Sequence, residues 1–428
     1  MTPAHEPSTP TSLLWLSLTL FLIAAAVVAG PGPVLAYQPG GEGLSLPDVA
    51  PLEIDDPIGE AELQDLETLA SQSGISLQAA IDRYAWNDNF AFAIARIRET
   101  VPGAFAGAQI VDAENAWVAF AGTAPESARG MIDTFRSHHS GVSVDLRTNL
   151  GFAEVELQRA IEEVHFAVLA APDVRNASTS FEFETGQITT TVVLESTASD
   201  SLLNDLRAVA TKNLADAGGA DILNNITISV VRSNSRVLGD KTSGTEHLGG
   251  EALSTCTSGF GTKTSSGVRG ISTAGHCDDS QSDDGSSLTF KAGHEGEHGD
   301  FQWHTGPQAE PDDFYSGNSS STEVNRRDVS GVGSPVVGQS LCQNGKTTHK
   351  SCKEVRKLDV CYGNACSLVQ FGNRTVQSGD SGGSVFYSNT AYGLIYGWHY
   401  DPFWPYDRDL FSRADRIDNA LGIFIATS

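Results

Sequence analysis

Apolar positions from Leu63 onward follow a helical spacing interleaved with short alternating runs, and the pattern changes after Val231. Leu63, Leu66, Leu69 and Ala70 fit one helix, and a second is predicted from Leu77 to Ile97 through Ala80, Ile81, Tyr84 and Phe90. Ala116 to Phe120 reads as a strand, Pro125 to Phe135 as a helix and Val142 to Leu146 as a strand. Phe152 to Leu169 carries Val155, Leu157, Ile161 and Val164 at helical spacing. Phe181 to Thr189 alternates on either side of Gly186, which predicts a hairpin continuing through Val192 to Leu194. Ser201 to Leu214 returns to helix and Ile226 to Val231 to strand, so Glu60 to Arg232 reads as an α+β unit of one or two lobes. Beyond Val231, Ser, Thr and Gly dominate, apolar runs shorten, and no helix is expected until Asp415 to Ile423. That texture predicts an all-β domain rich in turns, a barrel or a sandwich. No internal repeat is evident.

Cysteine placement sharpens this division. All six cysteines lie at or beyond Cys256, as expected for a disulfide-bearing β-domain made outside the cytosol and preceded by a segment without staples. From Ser243 onward there are 22 acidic and 14 basic side chains, a balance of -8, which leaves -18 of the net -26 to the first 242 residues. So acidic a chain is a poor partner for nucleic acid or an anionic membrane. The 428 residues exceed one ordinary domain, and the expected division has four parts. Residues 1–36 read as a secretory signal: an apolar run from Leu13 to Ala29, then a small-residue cleavage site after Ala36, although no Lys or Arg precedes the run. A retained anchor is the alternative reading. Residues 37–59, rich in Gly and Pro, read as a flexible leader; 60–240 form the α+β segment and 243–428 the β-domain.

The candidate chemistry lies in the β-domain. GDSGG occupies Gly379 to Gly383, and TAGHC occupies Thr273 to Cys277 about a hundred residues upstream. A serine hydroxyl is a poor nucleophile near neutral pH, so acyl transfer requires an imidazole to take its proton and a carboxylate to orient that imidazole. Ser381 and His276 supply the first two. Asp300, which opens the alternating segment Asp300-Phe301-Gln302-Trp303, is the candidate for the third. Asp278, Asp279, Asp283 and Asp284 crowd a Ser/Gly-rich loop and read as solvent residues. Glycines around Ser381 let backbone N–H groups point at a developing oxyanion, with Gly379 and Ser381 as the expected donors. His294-Glu295-Gly296-Glu297-His298 matches the HExxH zinc signature, but that signature requires a helix, and Gly293, Gly296 and Gly299 each weaken one by ~1 kcal/mol. Neither a metal nor a cofactor is expected.

From about Gly249 to the C terminus, these residues resemble the secreted chymotrypsin-class serine endopeptidases, in particular the bacterial streptogrisin and alpha-lytic protease group. The resemblance is carried by Cys256 to Phe260, TAGHC, GDF at Gly299 to Phe301, the C-x9-C element from Cys342 to Cys352 with NGKTT inside, GDSGG, and AYGLIYG at Ala391 to Gly397. It implies two six-stranded antiparallel β-barrels with the site between them, and pairing of Cys256 with Cys277 and of Cys342 with Cys352. It also implies that the α+β unit is a pro-segment, a folding aid and intramolecular inhibitor, removed by processing between about Val237 and Gly249. The expected product is a secreted monomer acting on proteins or peptides.

Three departures stand out. Cys361 and Cys366 form a short C-x4-C element read as a loop staple. Tyr396 stands where the group has a serine supporting the triad aspartate, and Trp398, after Gly397, stands where a small residue admits the substrate side chain. Thr375, six residues before Ser381, is near the pocket-floor position and is uncharged, which disfavours a preference for Lys or Arg. The rival reading is a protease-fold binding protein whose catalysis has been weakened.

Overall fold

The computed structural model describes residues 57–183, 185–194, 201–232, 249–283, 285–307, 311–317, 326–399 and 407–428. The first 56 residues, which hold the expected signal and most of the leader, lie outside them, as does 233–248 with the expected processing region. Among the described residues no helix is long and apolar enough to cross a membrane.

Helix α1 (Glu60–Ser73) carries Glu60 and Glu62 in its first turn, where acidic groups offset the helix dipole, and ends at Gly74. Helix α2 (Leu77–Tyr84) starts at Ser76, whose hydroxyl accepts the Ala79 N–H at 3.1 Å. The single helix expected from Leu77 to Ile97 is instead interrupted at Ala85, and α3 (Trp86–Thr100) follows. Ala80, Ile81 and Tyr84 define one apolar stripe, whereas Trp86, Phe90, Ile94 and Ile97 define another, shifted by two residues. At 100° per residue the two stripes point to nearly opposite sides, so one straight helix cannot bury both.

The second stripe packs on β1 (Phe105–Ile110), β2 (Asn115–Phe120), α4 (Glu126–His138) and β3 (Ser143–Arg147) around Phe120, Ile132 and Phe135. Strand β2 is central, antiparallel to β1 and parallel to β3. Strand β1 was not expected from the pattern: its sequence FAGAQI is rich in Ala and Gly, which favour strands weakly, and tertiary pairing overrides that.

A second layer holds α5 (Glu154–Leu169), β4 (Val174–Glu182), β5 (Gln187–Leu194), α6 (Leu202–Leu214) and β6 (Thr227–Arg232). Leu157, Ile161, Val164 and Val168 of α5 share a core with Leu206, Ala210 and Leu214 of α6 and with Ile188 and Val192 of β5. The hairpin expected about Gly186 joins β4 to β5, and β6 adds parallel to β5.

The remaining chain is mostly β. Strands β7 (Gly261–Thr264), β8 (Arg269–Thr273), β9 (Thr289–Gly296) and β10 (Gly299–Thr305) form one sheet, completed late in the chain by Ile423–Ile425. Strands β11 (Ser340–Asn344), β12 (Ser351–Tyr362), β13 (Ala365–Phe371), β14 (Ser384–Tyr387), β15 (Thr390–His399) and β16 (Arg408–Arg413) form a second, which closes on itself because β11 pairs with both β14 and β12.

The two-barrel class therefore holds, with one difference in count. The C-terminal barrel has its six strands, whereas the N-terminal one is a half-barrel of five among the described residues. The candidates for a sixth, Ser282–Asp283 with Ser286–Ser287 and Asp313–Tyr315 with Arg326–Asp328, form separate two-stranded ribbons, and Phe314 adds only an isolated bridge to Gly249. The first pair lies in the acidic, Ser-rich loop that lacks the apolar alternation needed to extend a sheet. The C-terminal helix is shorter than expected, covering Ile417–Leu421. The far end of β12 also pairs with β4, Cys361 opposite Thr179 and Tyr362 opposite Ser178, so one sheet runs from the α+β region into the barrel.

Three disulfides are present: Cys256–Cys277, Cys342–Cys352 and Cys361–Cys366. The first spans 21 positions and ties the turn bearing His276 to the start of the domain. Replacing both of its cysteines by Ala should destabilise the domain by about 3 kcal/mol through the freed chain entropy, measurable as a lower urea midpoint.

Candidate active site

The candidate nucleophile lies between β13 and β14, on a turn whose backbone is fixed from several sides. Gly382 has φ 86° and donates its N–H to Ile395 O at 2.7 Å. A Cβ there would overlap Thr273 Oγ1 and Thr257 O, so the turn that presents Ser381 accepts only glycine at this point. Thr257, in the segment ahead of β7, clamps the same turn: its N–H donates to Ser381 O at 2.8 Å and its hydroxyl to Gly379 O at 2.6 Å. The N–H groups of Gly379 and Ser381 donate to no carbonyl among the described residues, which leaves both able to meet a ligand oxygen.

Asp380 is fully buried between them. Its carboxylate accepts Thr347 N–H at 2.7 Å, Thr348 N–H at 3.1 Å, Thr348 Oγ1 at 2.7 Å and Gln377 N–H at 2.8 Å. Thr347 and Thr348 of the NGKTT segment thus cradle this acid with uncharged donors. Their role is invisible in the motif, because the contacts bridge 32 to 33 positions.

His276 follows β8 and Asp300 opens β10, neighbouring strands in one sheet. That adjacency brings the two together: His276 Nδ1 donates to Asp300 Oδ2 at 2.6 Å, and Nε2 lies 3.1 Å from Ser381 Oγ. Asp300 is buried, and its N–H donates to Ser412 Oγ at 3.0 Å. Burial opposes protonation of His276, but Asp300, by its charge and its hydrogen bond, and Glu295 outweigh it, so the imidazole is more basic than usual. Burial and the neighbouring Asp300 push the Glu295 carboxyl up in turn. Ser381 Oγ also has the Tyr396 carbonyl at 3.2 Å, so its one proton has two acceptors. The row Asp300, His276, Ser381 can polarise the hydroxyl and take its proton.

An imidazole must be neutral to take a proton, and His276 is held above the ordinary 6.5. The acid limb of kcat/KM against pH should therefore fall above pH 6.5. A limb at pH 6 or below would contradict the raised basicity of His276.

The four expected pocket residues have different neighbours. Tyr396 turns its ring to His276, with centroids 5.2 Å apart and planes at 64°. Gly397 lies opposite Leu410 in the β15–β16 pairing and Trp398 opposite Asp409. The Trp398 ring is covered by the Arg374 guanidinium at 3.5 Å. Thr375 is exposed, and its N–H and hydroxyl donate to Asp409 Oδ2 at 3.1 and 3.3 Å. Asp409 is buried and ion-paired to Lys353. Asp409 carried no motif, and only the strand pairing reveals it.

The HExxH segment is a hairpin, not a helix: His294 and Glu295 lie on β9 and His298 in the turn to β10. Among the described residues no cluster of three or more His, Cys, Asp or Glu is arranged to hold a metal.

No protein-family model matches this chain. Serine protease 2 of Streptomyces fradiae is 33% identical over 167 residues, covering 35% of this chain and 92% of that protein. Streptogrisin-A of Streptomyces griseus is 31% identical over 159 residues, covering 35% of this chain and 51% of that protein. Among solved structures, Nocardiopsis protease (NAPase) is 22% identical, with 43% of this chain and all of that one covered and a TM-score of 0.37. A glutamic acid specific serine protease is also 22% identical, with 42% of this chain and all of that one covered and a TM-score of 0.36.

Proposed function

This chain belongs to the streptogrisin-type family of chymotrypsin-like serine proteases, and from that premise we propose that it is a secreted endopeptidase working through an acyl-enzyme on Ser381. The observation that carries this reading is the hydrogen-bonded row Asp300, His276, Ser381 at 2.6 and 3.1 Å.

In this reading Ser381 Oγ attacks the scissile carbonyl as its proton passes to His276 Nε2. Asp300 Oδ2 holds Nδ1–H, which fixes the tautomer and stabilises the imidazolium. The N–H groups of Gly379 and Ser381 receive the oxyanion. The imidazolium then protonates the leaving amine, the acyl ester remains on Ser381, and water attacks through the same base to release the acid. Thr375 stands over a carboxylate whose charge Lys353 already meets, which supports uncharged side chains at the primary pocket rather than Lys or Arg.

The α+β region from Glu60 to about residue 240 is proposed as an inhibitory pro-segment, removed between about Val237 and Gly249 to leave the β-domain. Strand pairing between β4 and β12 and the seating of Asp65 between Arg327 and Lys350 support such docking. Export is supported by the six paired cysteines.

The test is expression of the full chain, N-terminal sequencing of the secreted species, and its incubation with a broad peptide library. The expected result is a start between residues 237 and 249 and cleavage that survives a chelator. A start well upstream overturns the processing site. Silence toward the library after confirmed processing overturns the activity and favours a binding protein on a protease scaffold.

A further inference from the structure

Tyr396 and the disulfide-closed turn Cys361–Cys366 are both unexplained by the proposed chemistry, and the structure brings them together behind His276. The Tyr396 ring meets the imidazole edge-on at 5.2 Å, while its carbonyl faces Ser381 Oγ at 3.2 Å. On its other side the Tyr362 ring stands edge-on to it, with centroids 6.0 Å apart and planes at 84°. Tyr362 is the first residue inside the C-x4-C loop, pairing with Ala365 across the hairpin that the disulfide closes. The three rings Tyr362, Tyr396 and His276 therefore form a continuous row of edge-to-face contacts.

Two observations say that His276 needs this lateral support. Asp300 Oδ1 is buried with no hydrogen-bond partner among the described residues, so the carboxylate that orients the imidazole is itself held on one oxygen only. No side chain donates to it from position 396, where the ring of Tyr396 has turned to the imidazole.

In the full chain, before any processing, the turn is also held from the α+β region. Gly363 N–H donates to Ala177 O at 3.1 Å, and His165 Nε2 donates to Gly363 O at 2.9 Å. His165 is fully buried and remains neutral, because burial lowers its pKa to about 4.

We infer that Tyr362 and Tyr396 are positioning residues that hold the His276 imidazole by edge-to-face ring contacts, with the Cys361–Cys366 turn as their anchor. The inference rests on the reading of His276 as the base for Ser381. Edge-to-face packing of this kind restricts ring rotation without adding charge, so its loss should lower the fraction of correctly oriented base rather than substrate binding.

The experiment compares Tyr362→Ala and Tyr362→Phe, each expressed as the full chain and assayed after processing. Tyr362→Ala should lower kcat about three- to tenfold, the size of one aromatic pair, with KM unchanged. The acid limb of its pH profile should also fall, because a loosened imidazole keeps less of its bond to Asp300. Tyr362→Phe keeps the ring and should restore both.

A second measurement needs no turnover: the imidazole resonances of His276 in the full-chain Ser381→Ala variant. Its titration should shift down when Tyr362→Ala is added and return with Tyr362→Phe. Unchanged kcat and titration in Tyr362→Ala overturn the inference, as does Tyr362→Phe behaving like Ala. If wild-type protein turns over no peptide but the His276 titration still responds to Tyr362→Ala, the positioning stands and the protease reading falls.

Discussion

Ser381→Ala is expected to lower kcat for peptide hydrolysis roughly a million-fold, because removing the nucleophile costs about as much as removing the whole triad. The fold should be untouched. Ser381 Oγ contacts His276 Nε2 and the Tyr396 carbonyl, neither of which holds the turn together. The turn is fixed by Gly382 N–H to Ile395 O and by the Thr257 clamp, both of which survive the substitution. The same variant should accumulate as unprocessed full-length chain if removal of the α+β region is carried out by the molecule's own site. Full activity in Ser381→Ala would end the acyl-enzyme account.

Asp65→Ala is expected to destabilise the full chain by about 3 to 5 kcal/mol, the cost of leaving buried cations without their partner. Asp65 of α1 is wholly buried against the C-terminal barrel. Its oxygens take Arg327 Nη1 at 2.9 Å, Arg327 Nη2 at 3.0 Å, Lys350 Nζ at 2.6 Å and Ser388 N–H at 2.7 Å. Lys350 can shed part of the penalty, since burial already lowers its pKa, but Arg327 cannot. Urea unfolding of the full chain reads the loss. A shift below 1 kcal/mol would mean that α1 does not depend on this contact.

Two more acids at that junction make its stability pH-dependent. Burial pushes Glu62, bonded to Tyr387, up to about 7, and Asp88, bonded to Tyr392, up to about 6. Both carboxyls hold protons better folded than unfolded. Their contribution is complete below the ordinary values of 4.5 and 3.8 and is lost as pH rises through 6 to 7. The full chain should therefore melt at a higher temperature at pH 5 than at pH 8, with the difference reduced by Glu62→Gln.

Much of this was legible in the chain because certain backbones tolerate few sequences. GDSGG announces a turn that only glycine permits at Gly382, and TAGHC and GDF lie at the ends of strands that the sheet sets side by side. Cysteine placement and the change of texture after Val231 divided α+β from β.

Spacing along the chain carried position but not direction. Nothing in AYGLIYG or the Trp398 after it tells that Tyr396 faces His276 while Trp398 goes under Arg374, since the pairing of β15 with β16 shifts register between Ile395 and Gly397. Asp409 and the cradle of Asp380 depend on contacts more than thirty positions apart. The half-barrel reflects pairing choices that alternation alone does not encode, and the break at Ala85 came from two apolar stripes too far out of phase for one helix.

The most direct test of the central claim is mass spectrometry of the processed protein after a serine-directed phosphonylating reagent. A single adduct on Ser381, absent in His276→Ala and unaffected by a chelator, is the predicted result. Adduct formation elsewhere, or none on a processed and folded protein, would contradict the assignment of Ser381 as a nucleophile activated by His276 and Asp300.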